Sequence, residues 1–197
     1  MIDTETLLPL LEQAEALKLQ GKHDEAIRFV QKILLLDLDC VEAYEEIGDN
    51  YISLAEYKKA RLALDHAIKL NPLSANAHYL IGFMFSAQQN WKESVTHLER
   101  ANELYANHPE ILRCLGWAIF NTGCKKRGIC ILERALIIAP EDSYILCDLG
   151  ICYMNQRNFQ RALSLFKKTL TIDPGNMKAK ECARIAELFS SEDHLLN

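Results

Sequence analysis

The chain lacks any apolar stretch long enough to cross a bilayer. Its unbroken hydrophobic runs are a handful of residues, such as ILLL from Ile33, against the roughly 20 that a membrane-spanning helix needs. It lacks a positively charged segment near its start: MIDTETLLPLLEQ carries acidic residues and no small-residue cleavage site follows, so no secretory signal is expected. Basic charge is also in deficit. A formal charge of −5 leaves no basic stripe to release counterions from phosphates, which argues against nucleic acid as a partner. A soluble, cytoplasmic protein without membrane insertion is the expectation.

Catalytic signatures are absent too. There is no glycine-rich phosphate loop, no nucleophile elbow and no paired metal-binding histidines. The carboxylates on helix faces have no identifiable partner acid or orienting base, so the chain is expected not to be an enzyme and to need no cofactor. Seven cysteines, an odd number without an export signal, point to free thiols in a reducing compartment rather than a disulfide framework.

With 49% hydrophobic and 25% charged residues, the chain has enough apolar side chain to bury a core. Glycine is scarce, yet Gly48, Gly82, Gly116 and Gly150 recur at intervals of 34 residues inside helical patterns, where each should cost about 1 kcal/mol relative to alanine. Ala14 continues that column toward the start. A second small column holds Ala26, Ala60, Ser94, Gly128 and Ala162. Large apolar columns stand between them: Leu17, Tyr51, Phe85, Ile119 and Tyr153, then Val30, Leu64, Leu98, Leu132 and Phe166. Spacings of three to four predict helices, and the turn-prone stretches LQGKHD, AQQN, NTGCK and NQRN divide each copy in two. Small residues give clearance where the two helices of a copy cross. Pro72, Pro140 and Pro174 are expected to end the second helix, and Leu38 and Ala106, which replace proline, to leave looser junctions.

These columns resemble the tetratricopeptide repeat family, a 34-residue helix–turn–helix pattern with a leucine–glycine pair, a tyrosine, a small residue and a late proline. On this resemblance the fold class is all-α, a right-handed α-solenoid of five helix-turn-helix repeats plus a C-terminal capping helix. The expected organisation is a lead-in at 1–6 and repeats at 7–40, 41–74, 75–108, 109–142 and 143–176. A capping helix at 177–190 and a flexible tail at 191–197 complete it. Arg184 stands where a sixth packing glycine would be, and Ala179, Cys182, Ala183, Ala186 and Phe189 are placed to cover the last repeat.

In this family the first helix of each copy lines an inner, concave side where partners usually bind, and its second, fifth, sixth and ninth residues face that groove. Copies one and two supply Leu8, Leu11, Glu12, Glu15, Glu42, Glu45, Glu46 and Asp49, an acidic end. Later copies supply Asn76, Tyr79, Leu80 and Phe83, then Glu110, Arg113, Cys114 and Trp117, then Tyr144, Cys147, Asp148 and Ile151. Phe120 and Met154 extend this aromatic and apolar stripe. A partner segment of apolar and basic character fits, with Arg113 available to a carboxylate. Two plainer readings stand beside this one: the acidic face as a solvated, solubilising surface, and Trp117 and Phe83 as filling between helices. Chaperone-tail clamps of the family use lysines and asparagines at positions that do not match here.

Function follows as a non-catalytic protein–protein interaction module, an adaptor or assembly scaffold. A chaperone for a secreted subunit and a self-assembling structural protein, with a possible homodimer, are the alternatives. Cys114, Cys147 and Cys152 fall on adjacent copies without the two-residue spacing of a zinc site, so no metal is expected. Lys125, Lys126 and Arg127 occupy the turn where other copies have Tyr57, Trp91 or Phe159, which predicts a solvated turn and a looser hairpin.

Overall fold

A computed structural model describes residues 4–193 of the chain, and within them eleven helices and no strand. The chain divides into two compact units, residues 1–106 and 107–197. Unit 1 holds α1 (Thr4–Leu19), α2 (His23–Leu36), α3 (Val41–Ser53), α4 (Tyr57–Leu70), α5 (Ala75–Ala87) and α6 (Trp91–Leu104). Unit 2 holds α7 (Pro109–Asn121), α8 (Lys125–Ile138), α9 (Ser143–Asn155), α10 (Phe159–Ile172) and α11 (Met177–Asp193). Helices α1 and α2, and each later pair up to α9 and α10, form hairpins. The first helix begins at Thr4, ahead of the expected start at Leu7. The helix at the other end continues to Asp193, beyond the expected boundary at 190. The rest of the expected lead-in and tail, residues 1–3 and 194–197, lies outside the described residues.

Within each hairpin the glycine column meets the large apolar column of the second helix. A Cβ placed on Gly48 would stand 2.6 Å from Leu64 Cγ, one on Gly82 2.6 Å from Leu98 Cγ, and one on Gly150 2.6 Å from Phe166 Cε1. Leu64, Leu98 and Phe166 have no exposed surface, and burying each contributes about 1.5–3 kcal/mol. That gain outweighs the helix-propensity loss at each glycine. The first hairpin keeps the fit with a different pair: Ala14 stands in the glycine column, and the shorter Val30 faces it within one cluster.

The fourth copy uses the tightest version. A Cβ on Gly116 would lie 2.8 Å from Leu132 Cγ, and one on Gly128 2.6 Å from the Phe120 amide nitrogen and 2.7 Å from the Gly116 carbonyl oxygen. Backbone meets backbone. Lys125 is engaged as well, donating to Asn155 Oδ1 at 2.7 Å with its Nζ 5.8 Å from the Phe120 ring centroid.

The expected role of proline at the junctions is corrected. Every second helix from α2 to α10 ends at the same place in its copy, two residues before the proline position, whether or not proline is there. At Asp37, Asn71 and Asp173 the side-chain Oδ1 instead accepts the backbone N–H two residues on, at 3.0–3.1 Å. This Asx turn competes with the helical bond and closes the helix. It serves the first copy, which lacks the proline, as well as the second and fifth. The third copy has neither device, and Asn107 there adopts a left-handed backbone with φ of 63°, a conformation asparagine tolerates.

Helix α11 covers the last hairpin as the pattern implied. Ala179 and Ala186 are fully buried, Phe189 stacks on Phe159 with centroids 5.1 Å apart, and Arg184 is exposed.

In unit 1, His78 of α5 and His97 of α6 face one another, Nδ1 to Nδ1 at 3.4 Å. Burial pushes both below the usual histidine range, with Arg100 acting on His78, and Arg61 and His78 on His97, in the same direction. Pro72, through a backbone hydrogen bond, and Asp65 oppose the shift at His78 and His97 respectively. The unfolded chain therefore takes up these protons first, so stability is lost as pH falls below the ordinary value of 6.5.

Two measurements follow. Gly48→Ala should destabilise by about 1–2 kcal/mol, overpacking outweighing propensity, and adding Leu64→Val, which copies the Ala14–Val30 pair, should recover part of the loss in urea titrations. Thermal melts between neutral pH and pH of about 5 should show falling stability, with a shallower slope in His97→Gln.

Candidate functional site

The groove positions of the first three copies come together. Leu8, Leu11, Glu12 and Glu15 from α1, Glu42, Glu45, Glu46 and Asp49 from α3, and Asn76, Tyr79, Leu80 and Phe83 from α5 line one cleft of about 390 Å³, joined by Lys18. The cleft lies wholly in unit 1. One wall is acidic; the other is the Tyr79–Phe83 stack, with ring centroids 6.2 Å apart and planes 25° from parallel, backed by the buried Ile52, Leu64 and Met84.

The carboxylates are not equivalent. Glu45 is buried, 8% exposed, and its two oxygens accept from Ser74 Oγ and from Asn76 Nδ2 at 2.9 Å. Ser74 Oγ also accepts from the Ala77 amide at 3.0 Å, so Glu45 is tied to the cap of α5. It joins two hairpins instead of offering a free charge. Glu46 and Asp49 hold Lys18, whose Nζ lies 3.2 Å from Glu46 and 2.8 Å from Asp49. Burial alone would lower the lysine's pKa, but these two carboxylates outweigh it and raise it. The like-charge repulsion expected along α3 is thus relieved by a cation from the neighbouring hairpin. Sequence reasoning missed Lys18 because it stands outside the four groove positions of its copy. Only Glu12, Glu15 and Glu42 remain as exposed acids on the rim.

Unit 2 treats its groove positions differently. Arg113 does not present a free guanidinium: Nε and Nη2 bond Glu110 at 2.8 and 2.6 Å, and Nη1 bonds Asp148 at 2.7 Å. Burial works against the arginine's charge, but the Glu110 hydrogen bond and the charge of Asp148 are among the contacts that hold it firmly protonated. At Asp148 burial dominates and raises the carboxyl, with Arg113 opposing. Phe120 is buried, 6% exposed, and Trp117 stacks on it with centroids 6.4 Å apart. Lys178 Nζ lies 5.6 Å from the Trp117 ring centroid. Ile151 and Met154 are half-buried in the same cluster. Trp117 is likewise partly buried against this cluster. Tyr144 is the open aromatic, 68% exposed, with the Arg113 guanidinium carbon 5.8 Å from its ring centroid.

Cys40, Cys114, Cys147 and Cys152 are buried, Cys124 and Cys130 exposed, and no group of three or more metal-binding side chains occurs among the described residues. Burial pushes Cys114 and Cys152 up to about 12 and Cys147 to about 11, which keeps them as unreactive thiols. No helix among the described residues is long and apolar enough to cross a membrane.

A stack of helical hairpins with an acidic and aromatic cleft on its first helices defines a helical repeat protein. Comparison gives the repeat its family: residues 41–72 and 143–176 match tetratricopeptide repeat models, so the chain carries tetratricopeptide repeats. It is similar to the BBSome complex member BBS4 of Bos taurus, 26% identical over 168 residues, covering 85% of this chain and 32% of that one. Among solved structures it resembles the APC/C hetero-tetramer Cut9–Hcn1, with a TM-score of 0.83 at 17% identity over 90% of this chain and 35% of that one. YrrB, a TPR protein with an unusual peptide-binding site, gives a TM-score of 0.63 at 23% identity over 89% and 91% of the two chains. The chain spans about a third of the length of BBS4. These likenesses show the fold, an α-solenoid of helical hairpins.

Removing one member of the buried ion pair leaves the other without compensation. Asp148→Ala should therefore lower the stability of unit 2 by about 3 kcal/mol, while Glu12→Ala on the exposed rim should change stability by less than about 0.5 kcal/mol, both read by denaturant titration.

Proposed function

We propose that this protein is an adaptor or assembly scaffold that captures a segment of a partner protein in the cleft of unit 1. One observation carries the reading: twelve groove positions from three successive first helices line a single cleft, acidic on one side and aromatic on the other. Tyrosine and phenylalanine give a partner's apolar side chains a flat surface to cover. The carboxylates give its basic groups a complementary field.

The similar proteins agree with such a role. BBS4 is a BBSome complex member, Cut9 is found in a hetero-tetramer, and YrrB has a peptide-binding site. Within unit 2, Tyr144 is exposed, while Arg113 is tied to Glu110 and Asp148 and Trp117, Phe120 and Ile151 pack in its core cluster. Burial of Phe120 and the cover of Lys178 over Trp117 weigh against self-assembly through that stripe. A cytoplasmic setting remains part of the proposal.

The test is quantitative capture from the source cell with wild-type chain and with two surface variants, Tyr79→Ala/Phe83→Ala and Glu12→Lys/Glu42→Lys. A genuine partner should be lost with both and should weaken as salt rises, because exposed charge attraction is screened. Partners retained by both variants at every salt concentration refute the cleft as the docking site.

A further inference from the structure

We propose that Lys18 is an internal occupant of a cation subsite in the unit 1 cleft, and that a partner binds by placing its own lysine or arginine between Glu46 and Asp49 in the position Lys18 now fills. The inference rests on the cleft being a docking site, and adds which chemical group enters it and what that group displaces.

The subsite is built independently of Lys18. Asn50 is fully buried, and its Nδ2 donates to Glu46 Oε1 at 3.0 Å and to the Glu46 carbonyl at 2.8 Å. Its Oδ1 lies 3.0 Å from His23 Nδ1. A buried amide therefore holds the Glu46 carboxylate in place whichever cation sits against it. Asp49 lies one turn further along α3, so the two carboxylates face the same point.

Lys18 reaches that point from the last turn of α1 on a flexible stem, which can swing out without moving the helix. Six carboxylates line the cleft with this one ammonium, so a net negative field remains after Lys18 is counted. An incoming cation meets attraction throughout its approach. The neighbouring Tyr79–Phe83 stack gives it an aromatic wall, which favours a guanidinium or an ammonium flanked by apolar side chains.

Displacement makes affinity depend on how often the subsite is vacated. A partner sees only the fraction of molecules in which Lys18 has left, and its apparent affinity falls by that fraction. Helix α1 thereby acts as a built-in competitor that sets a threshold for docking.

The probe is a short fluorescein-labelled peptide alternating arginine and leucine, titrated by anisotropy against the full chain at low salt. Lys18→Met, which keeps the apolar stem and removes the charge, should bind it about tenfold more tightly than wild type. Lys18→Arg should bind like wild type. A peptide with glutamine in place of arginine should show no such gain. In the unaltered protein, saturating peptide should raise the acetylation rate of Lys18 relative to the exposed Lys22, read by mass spectrometry. Equal or weaker binding by Lys18→Met, or Lys18 reactivity unmoved by bound peptide, overturns the displacement while leaving the cleft as a docking site. Absence of binding by every chain overturns the docking reading and this inference with it.

Discussion

The structure depends on how closely two helices of a hairpin approach. Where side-chain volume vanishes on the first helix, a leucine or phenylalanine of the second enters the gap and loses all contact with water. That single fit sets the crossing point of the pair, and with it the direction in which the remaining faces of the first helix point. The positions that line the cleft are what is left over once the glycine face is spent on packing. The cleft lining and the packing seam therefore occupy different faces of the same helices.

At the groove positions of both units, polar groups divide into those that hold neighbouring hairpins together and those that stay exposed. Glu45 belongs to the first class because Ser74 and Asn76 from the next hairpin satisfy it. Arg113 belongs there as well, shared between Glu110 and Asp148 of successive hairpins. Such contacts substitute for apolar cover between neighbouring hairpins and fix their register, a use of buried polar groups that favours specificity over raw stability. Glu12, Glu15 and Glu42 stay on the rim, so the protein presents less free charge than its lining suggests.

Much of this was legible from the residues alone. Helical halves, turn positions and the glycine column follow from spacing, and the twelve cleft positions of unit 1 follow from the family resemblance, which puts the groove on the first helix of each copy. What escaped was pairing between copies. Lys18 and Ser74 sit in different columns from the carboxylates they meet, and spacing within one helix carries no information about which side chain reaches across from the next. The helix ends were misread for a related reason: proline is conspicuous, whereas an Asx turn at Asp37 or Asn71 depends on a side chain bonding its own backbone. The glycine pair of the fourth copy was visible as composition, but that it brings backbone onto backbone required coordinates.

The turn inside each hairpin carries one more consequence. The same place in every copy is left-handed, filled by Gly21 and Gly123 in two of them and by Ala55, Gln89 and Arg157 in the others, with φ between 57° and 60° at those three. A side chain there costs roughly 1–2 kcal/mol against a right-handed residue. Three of the five bends therefore hold a strained elbow at the end of the hairpin, at residues that do not line the cleft. They are natural places to tune how rigid each hairpin is without altering the groove positions.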